Sequence, residues 1–372
     1  MVFLRRFVLP VSLLSGTIIG AGVFSLPFVF VASGWAIGLA YLAGFGAVFT
    51  LIHLMYADIL LADGEHDFVG YARRYLGRWA GRLAFLMTVV GMLFALTVYL
   101  VLAKSFFAVL APSLFPELAL LGFWAFGSLV MFFPVRGVAA LEVLAVLVII
   151  GIIGVITVYG VPQAARLAEL PAANLWYLFL PFGPVLFSYS GRVAIPSLLA
   201  YLKREAPEPA HMRKVIGWGT AIPGIVYLLF ALGIIGLSQT VSEDAVSGIL
   251  GLPPFLLRAI GAFGIASLIS SYLVVGISVM RVLEKDLAAP RLFSAPLVIG
   301  APLALYAAGL QDFLTLVSVS GGVFIALEGV FIALMWRKAR AHLLLSPRFT
   351  YAVGALVAVF IGGALYEIMR VL

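Results

Sequence analysis

The sequence predicts an all-α integral membrane protein, and three observations predict it. Of 372 residues, 64% are hydrophobic and only 10% charged, where a soluble domain carries about 25% charged and roughly 45–50% apolar residues. Mean hydropathy is +1.19, and apolar runs near the 20 or so residues that cross a bilayer recur from end to end. A chain so poor in charge cannot cover a water-facing surface, which excludes a soluble enzyme, and disorder needs the opposite composition. Cysteine is absent, so there is no disulfide, thiolate nucleophile or cysteine metal site. The net charge of +7 marks the cytoplasmic loops of a membrane protein, not a nucleic-acid partner.

Breaks in hydropathy, Pro/Gly clusters and charges divide the chain into eleven expected spans: 7–33, 35–61, 83–110, 118–134, 137–160, 177–201, 215–237, 255–283, 293–309, 313–336 and 349–369. The fourth and ninth are short. Arg5-Arg6 before an apolar run resembles a secretory signal, but a signal's apolar region is about 7–15 residues. Here the run continues from Phe7 past Val31, so it reads as the first span. With the N-terminus inside, 18 of the 23 Lys and Arg fall on cytoplasmic segments, a bias that a wrong division would scramble. The expected topology has the N-terminus cytoplasmic and the C-terminus outside, in the cytoplasmic membrane. Between Ala62 and Arg82, Tyr71, Leu76, Trp79 and Leu83 recur at helical spacing beside four arginines, which suggests an interfacial helix with Trp and Leu in the headgroups. The segments 163–176 and 238–254 carry prolines and acids and read as outer loops.

The first span contains Ser15-Gly16-Thr17-Ile18-Ile19-Gly20-Ala21-Gly22-Val23-Phe24-Ser25-Leu26-Pro27, and the sixth Phe187-Ser188-Tyr189-Ser190-Gly191-Arg192-Val193-Ala194-Ile195-Pro196. In each, proline follows glycine by five residues. Proline blocks helix on its N-terminal side and glycine tolerates unwound backbone, so both spans are expected to break near the midplane. Glycine also packs membrane helices closely, but two matching breaks favour a binding site. Such a break must line a cavity or be buried in protein. It offers half-helix amides to an anion and free carbonyls to a cation. The breaks lie five spans apart in halves of opposite orientation, 7–160 and 177–336, with 349–369 appended to one 1–372 domain; that is the inverted repeat of a secondary transporter.

Gly16 to Pro27 resembles the first helix of permeases of the amino acid–polyamine–organocation superfamily, nearest to the hydroxy- and aromatic-amino-acid permeases and their auxin-permease-like relatives. Ala194-Ile195-Pro196-Ser197-Leu198 and Ser270-Ser271-Tyr272-Leu273-Val274-Val275-Gly276, followed by Glu284-Lys285-Asp286-Leu287, are similar to theirs. The resemblance covers most of the chain and implies the leucine-transporter fold, a 5+5 inverted repeat with broken helices 1 and 6 plus one helix. Substrate would lie between spans one, three, six and eight. Arg192 departs from that family, where a small or apolar residue is expected.

The expected substrate site is therefore Ile19, Gly20, Ala21 and Gly22, with the carboxylate on the amides of the last three, and Phe187, Ser188, Tyr189 and Ser190. The resemblance makes Phe187 a cover; the next three would supply carbonyls and hydroxyls for the amino group. Ser267, Ser270 and Ser271 share a helix face at i, i+3 and i+4. By resemblance that face meets Gly16 and Ile19, so two serine hydroxyls and the carbonyls of Gly16, Ile19 and Ser267 would hold sodium. Serines also bond back to their own helix, and the permeases it resembles are generally proton-driven, with His53 and Glu328 as possible carriers.

Among the remaining ionisable residues, Arg192 is expected to pair with Glu328 or Glu142, Lys104 and Glu367 to snorkel at outer ends, Asp58 to sit at a cytoplasmic end, and His53 to be a hydrogen-bonded packing residue. The four histidines are scattered and Asp63, Glu65 and Asp67 lack the rest of a calcium loop. No phosphate-binding glycine loop is present. The expected function is secondary active transport of an amino acid by alternating access, coupled to a cation gradient, with no cofactor beyond sodium or proton. A non-transporting amino-acid receptor of the same fold is the alternative, and an enzyme is not expected.

Overall fold

The computed structural model describes residues 2–64, 66–131, 138–249, 252–286, 290–340 and 342–371, and among them it is helical throughout, with one antiparallel bridge between Ser238 and Ile249. Eight helices are long and apolar enough to cross a membrane, nine when the bent pair Leu4–Ile18 and Ala21–Ser33 counts as one. The helices Pro116–Val130 and Leu292–Ala307 stand where the fourth and ninth spans were expected. Fifteen helical residues rise only about 22 Å, short of a hydrocarbon core of about 30 Å, so among the described residues length and composition alone account for nine of the eleven expected spans.

The first span is two helices, α1 (Leu9–Ile18) and α2 (Leu26–Ser33), bent by 53°. The backbone leaves helical geometry at Ile19 (ψ 98°) and Gly20 (φ −141°, ψ −157°), then makes a 3₁₀ turn over Ala21–Ser25. Pro27 enters at the start of α2, where its missing amide costs nothing. α3 (Trp35–Ala62), the short α4 (Phe68–Leu76), α5 (Arg78–Leu110), α6 (Pro116–Val130) and α7 (Val138–Gly160) complete the first half. The second opens with the other broken span, α8 (Phe182–Ser188) and α9 (Ile195–Glu205), joined through Tyr189 to Ala194. Then come α10 (Pro209–Leu237), α11 (Pro254–Asp286), α12 (Arg291–Ala307), α13 (Phe313–Val319) running through a π-helical turn (Ser320–Ile325) into α14 (Ala326–Ala339), and α15 (Thr350–Val371). α5 packs along α11, and α10 lies against α7 and α1.

The Arg-rich ends meet on one face. Arg6 pairs with Glu208 at 3.1 Å, its Nε donates to the Glu205 carbonyl at 2.8 Å, and the Tyr201 hydroxyl donates to the Arg5 carbonyl. The linker after α7 closes over the opposite face: Ala172 accepts from the Ala36 amide at 3.0 Å and Ser33 from the Asn174 amide at 2.7 Å. Gly34, at φ +92°, lies so close that a Cβ would strike the Ala172 and Ala173 backbone.

One expectation on the Arg-rich face changes. The helix expected across 62–82 is interrupted at Gly77 (φ +102°), so Trp79 lies at the start of α5, exposed beneath the Arg82 guanidinium, 4.7 Å from its ring, while Tyr71 on α4 is buried in protein. Of the acids there, Asp63 pairs with Arg74 at 3.0 Å and Asp67 caps α4 by accepting from Gly70 at 2.9 Å; Glu65 lies outside the described residues. Asp58 is fully buried. Its carboxylate accepts from the Trp336 indole at 2.9 Å, Leu344 N at 2.6 Å and Leu345 N at 3.2 Å, tying the 342–346 turn to α3. Each buried donor left without an acceptor costs about 1–3 kcal/mol. Asp58→Ala is therefore expected to lower the unfolding midpoint in detergent by several degrees, and Asp58→Asn, which keeps one acceptor oxygen, by less. Equal midpoints for Asp58→Ala and wild type would show that the turn is held by other contacts.

Candidate functional site

Between the two breaks lies a cavity of about 240 Å³, bounded by the unwound first span, α5, α8, α11 and the α13–α14 span. Ile19, Gly20, Ala21 and Gly22 line it from one side, Phe187 and Ser190 from another, and Thr88, Gly91, Met92, Ala95 and Tyr99 along one face of α5. Ala21 and Gly22 open the 3₁₀ turn, so their amides lack the acceptors that a continuing helix would provide. Gly22 is the point of closest approach. A Cβ there would stand 2.7 Å from Ser188 Cα and Oγ and 3.0 Å from Phe187 Cδ1, whereas a Cβ at Gly20 would meet nothing within 4 Å.

The cavity opens toward the Arg-rich face, through Phe68, Arg192, Val193 and Glu328, with Val193 57% exposed. The other end is closed by Phe24, whose ring meets Phe106 and Phe230 edge-on at 5.2 and 5.4 Å, all buried. At the open end Arg192 Nε lies 2.8 Å from Glu328 Oε1, its guanidinium 4.4 Å over the Phe68 ring. The partner of Arg192 is thus Glu328; the Glu142 side chain lies outside those described.

Ser188 and Tyr189 do not line the cavity. The Ser188 hydroxyl donates back to Pro184 at 2.8 Å, its carbonyl accepts from Tyr227 at 2.6 Å, and the Tyr189 hydroxyl donates to Leu42 at 3.0 Å in space left by Gly46 and Gly224. Both hydroxyls are thus engaged in packing contacts, and of the three residues expected to hold the amino group it is Ser190 that lines the cavity. Tyr227 is the residue that sequence reasoning missed: its hydroxyl lies 2.8 Å from the Ile18 carbonyl and 2.6 Å from that of Ser188, touching both breaks at once. A single tyrosine in an apolar helix carries no signal of that role.

Of the expected cation ligands, Gly16, Ile19, Ser270 and Ser271 line the same cavity. Ser267 is buried beside them, its hydroxyl without a hydrogen-bond partner among the described residues, and does not reach the cavity. His53 is a packing residue as expected, with Nδ1 3.0 Å from the Thr220 hydroxyl. Lys104 does not extend freely: it donates to Tyr306 at 2.7 Å and pairs with Glu117 at 3.3 Å. Glu367 does not snorkel at all; it is fully buried. In the loops of the closed end, burial and the neighbouring Asp312 carboxylate push Glu243 up to about 7, while Asp312 is held below its usual range despite burial, by hydrogen bonds from Glu243 and Thr315.

Two broken spans around a central cavity define a transporter of the leucine-transporter fold. The chain covers 97% of itself and 97% of MhsT in complex with L-phenylalanine at a TM-score of 0.67 and 15% identity. It covers 99% of itself and 86% of a mutant of the Eremococcus coleocola manganese transporter at 0.70 and 13%. Residues 10–287 match the family described as transmembrane amino acid transporter protein, and the chain belongs to that family. It is also 25% identical over 361 residues to the tyrosine-specific transport system 1 of Haemophilus influenzae, across 89% of this chain and 88% of that one.

Proposed function

We propose that the protein is a secondary active transporter that moves an aromatic amino acid, tyrosine among them, across the cytoplasmic membrane by alternating access, coupled to a cation gradient. The observation that carries this reading is the single cavity on which both helix breaks converge. The half-helix start at Ala21 and Gly22 favours an anion, which suits the substrate carboxylate, and Phe187, Phe324, Met92 and Val274 give an apolar wall for a ring. Similarity to a tyrosine transporter supports the aromatic class.

The Arg-rich face is cytoplasmic on this reading, and the cavity, open there and sealed by the Phe24, Phe106 and Phe230 rings, is the inward-open arrangement. The two shorter apolar helices complete eleven spans, with inverted halves at 7–160 and 177–336. Sodium would be held by Ser270, Ser271 and the carbonyls of Gly16 and Ile19, with Ser267 joining when α1 closes on α11. Uptake of radiolabelled tyrosine into proteoliposomes, with sodium or choline outside at fixed pH and membrane potential, tests both parts. Uptake that falls to background in choline is expected. Saturable tyrosine binding with no uptake or exchange in any gradient would leave a receptor; undiminished uptake in choline would remove sodium and leave the serines as packing residues.

A further inference from the structure

We infer that Glu367 on α15 is a proton-binding site whose loading is tied to the transport cycle, the carboxyl taking up and releasing a proton as α8 moves over it. Glu367 has no exposed side-chain surface, and neither carboxyl oxygen makes a hydrogen bond among the described residues. Among the described residues its ionic neighbour is Arg370, whose Nη1 lies 3.5 Å away and has no hydrogen-bond partner of its own. A buried ion pair repays its desolvation only with good geometry and further hydrogen bonds, and this one has neither. Protonating the carboxyl removes the buried charge and leaves Arg370, a quarter exposed, to water.

The position links the carboxyl to the cavity. Its chain lies directly against Gly322 in the π-helical turn, where a Cβ would stand 3.2 Å from Glu367 Cδ. The same turn places Ser320 and Phe324 on the cavity, and π-helical turns inside α-helices often mark functional sites. On its other side the turn meets α8: a Cβ on Gly321 would stand 2.7 Å from the Phe187 amide and press on the Gly183 carbonyl. The Gly183 amide approaches the Glu367 carboxyl without completing a hydrogen bond, and Gly183 is one helical turn from Phe187, which faces the cavity. Whatever shifts Phe187 and Ser320 therefore also shifts the groups that cover Glu367.

The other titratable groups around it are few. Tyr41 faces it from α3 and Tyr366 flanks it on α15. α8, α13 and the π-helical turn bring no ionisable side chain, and Glu328 of α14 is engaged with Arg192 at the cavity mouth. Beyond Arg370 lie Glu243 and Asp312, which share its field. That sequence of groups, from the acid pair through Arg370 to Glu367, runs inward from the closed face, which the transport reading makes the outside. A proton arriving there reaches Glu367 once α8 tilts away.

The inference rests on the transport reading, and the two are tested separately. In proteoliposomes of the full chain, tyrosine counterflow with no gradient tests transport itself, and the choline arm described above tests sodium. An imposed gradient of one pH unit, acid outside, supports about tenfold accumulation when one proton is coupled. Wild type is expected to approach that value. Glu367→Gln is expected to keep counterflow but to accumulate no tyrosine in response to the pH gradient, and Glu367→Asp to retain part of the response. Accumulation by Glu367→Gln equal to wild type overturns the inference. Should Glu367→Gln not fold, the wild-type protein decides: tyrosine-linked proton movement in a weakly buffered detergent solution, and its reduction in Glu367→Asp, are expected. Absence of proton movement, or movement identical in Glu367→Asp, overturns it.

Discussion

Gly22→Leu is expected to abolish tyrosine uptake, and even Gly22→Ala to lower the initial rate about 10- to 100-fold at wild-type expression, while Gly20→Ala transports. The two glycines sit two residues apart in the same unwound stretch and differ only in what faces them. A methyl on Gly22 would stand 2.7 Å from the Cα of Ser188, a backbone atom that cannot rotate away. Forcing a methyl into a packed site costs about 1–3 kcal/mol, and 1.4 kcal/mol is a factor of ten. The displacement falls on α8, which carries Phe187 at the cavity, so it moves the substrate's wall as well as straining the fold. A methyl on Gly20 points into open space lining the cavity; there it takes volume from the ligand, and the expected effect is a higher KM with kcat retained. Initial rates over a range of tyrosine concentrations separate the two. Wild-type kinetics in Gly22→Ala would mean that close approach of the two breaks is not needed for transport.

Both breaks were legible in the sequence because proline blocks helix and glycine permits unwound backbone whatever surrounds them. The span positions were legible for a related reason: a bilayer-length apolar run has few other uses. The short fourth and ninth segments were visible as short, and the helices described there are the two shorter apolar ones. What the sequence did not disclose are contacts made between spans. Asp58, Glu328 and Glu367 look alike as isolated acids in apolar runs. Asp58 accepts from the Trp336 indole and from two amides of a turn nearly three hundred residues away, Glu328 is the one of the two expected acids that meets Arg192, and Glu367 is buried with no hydrogen bond among the described residues. The engagement of the Ser188 and Tyr189 hydroxyls was hidden for the same reason. Adjacency to a break in sequence says nothing of which way a hydroxyl turns, and Leu42 and Pro184 had already taken theirs.

Glu328→Gln and Arg192→Gln are each expected to destabilise the protein more than the double substitution does. The pair is only 12% and 20% exposed at its side chains, and removing one member of a buried pair costs about 3–5 kcal/mol because the other charge is left unmatched. Some water reaches both, so a loss near 3 kcal/mol is the expectation for each single change. Removing both charges leaves no ion to solvate, and the Phe68 and Tyr56 rings that flank the guanidinium accept a neutral side chain without penalty. Function adds a second signature. The pair stands where the cavity opens, so in Glu328→Gln the unmatched Arg192 becomes a competing site for a substrate carboxylate on its way out. Tighter apparent binding from the Arg-rich face with slower counterflow is expected for Glu328→Gln alone. Arg192→Gln, which leaves a carboxylate at the mouth, would instead repel the same group and weaken binding from that face. Opposite shifts in apparent affinity from the two single substitutions would mark the pair as an electrostatic element of the exit route, whereas equal losses in both, unrelieved in the double, would reduce it to a packing contact.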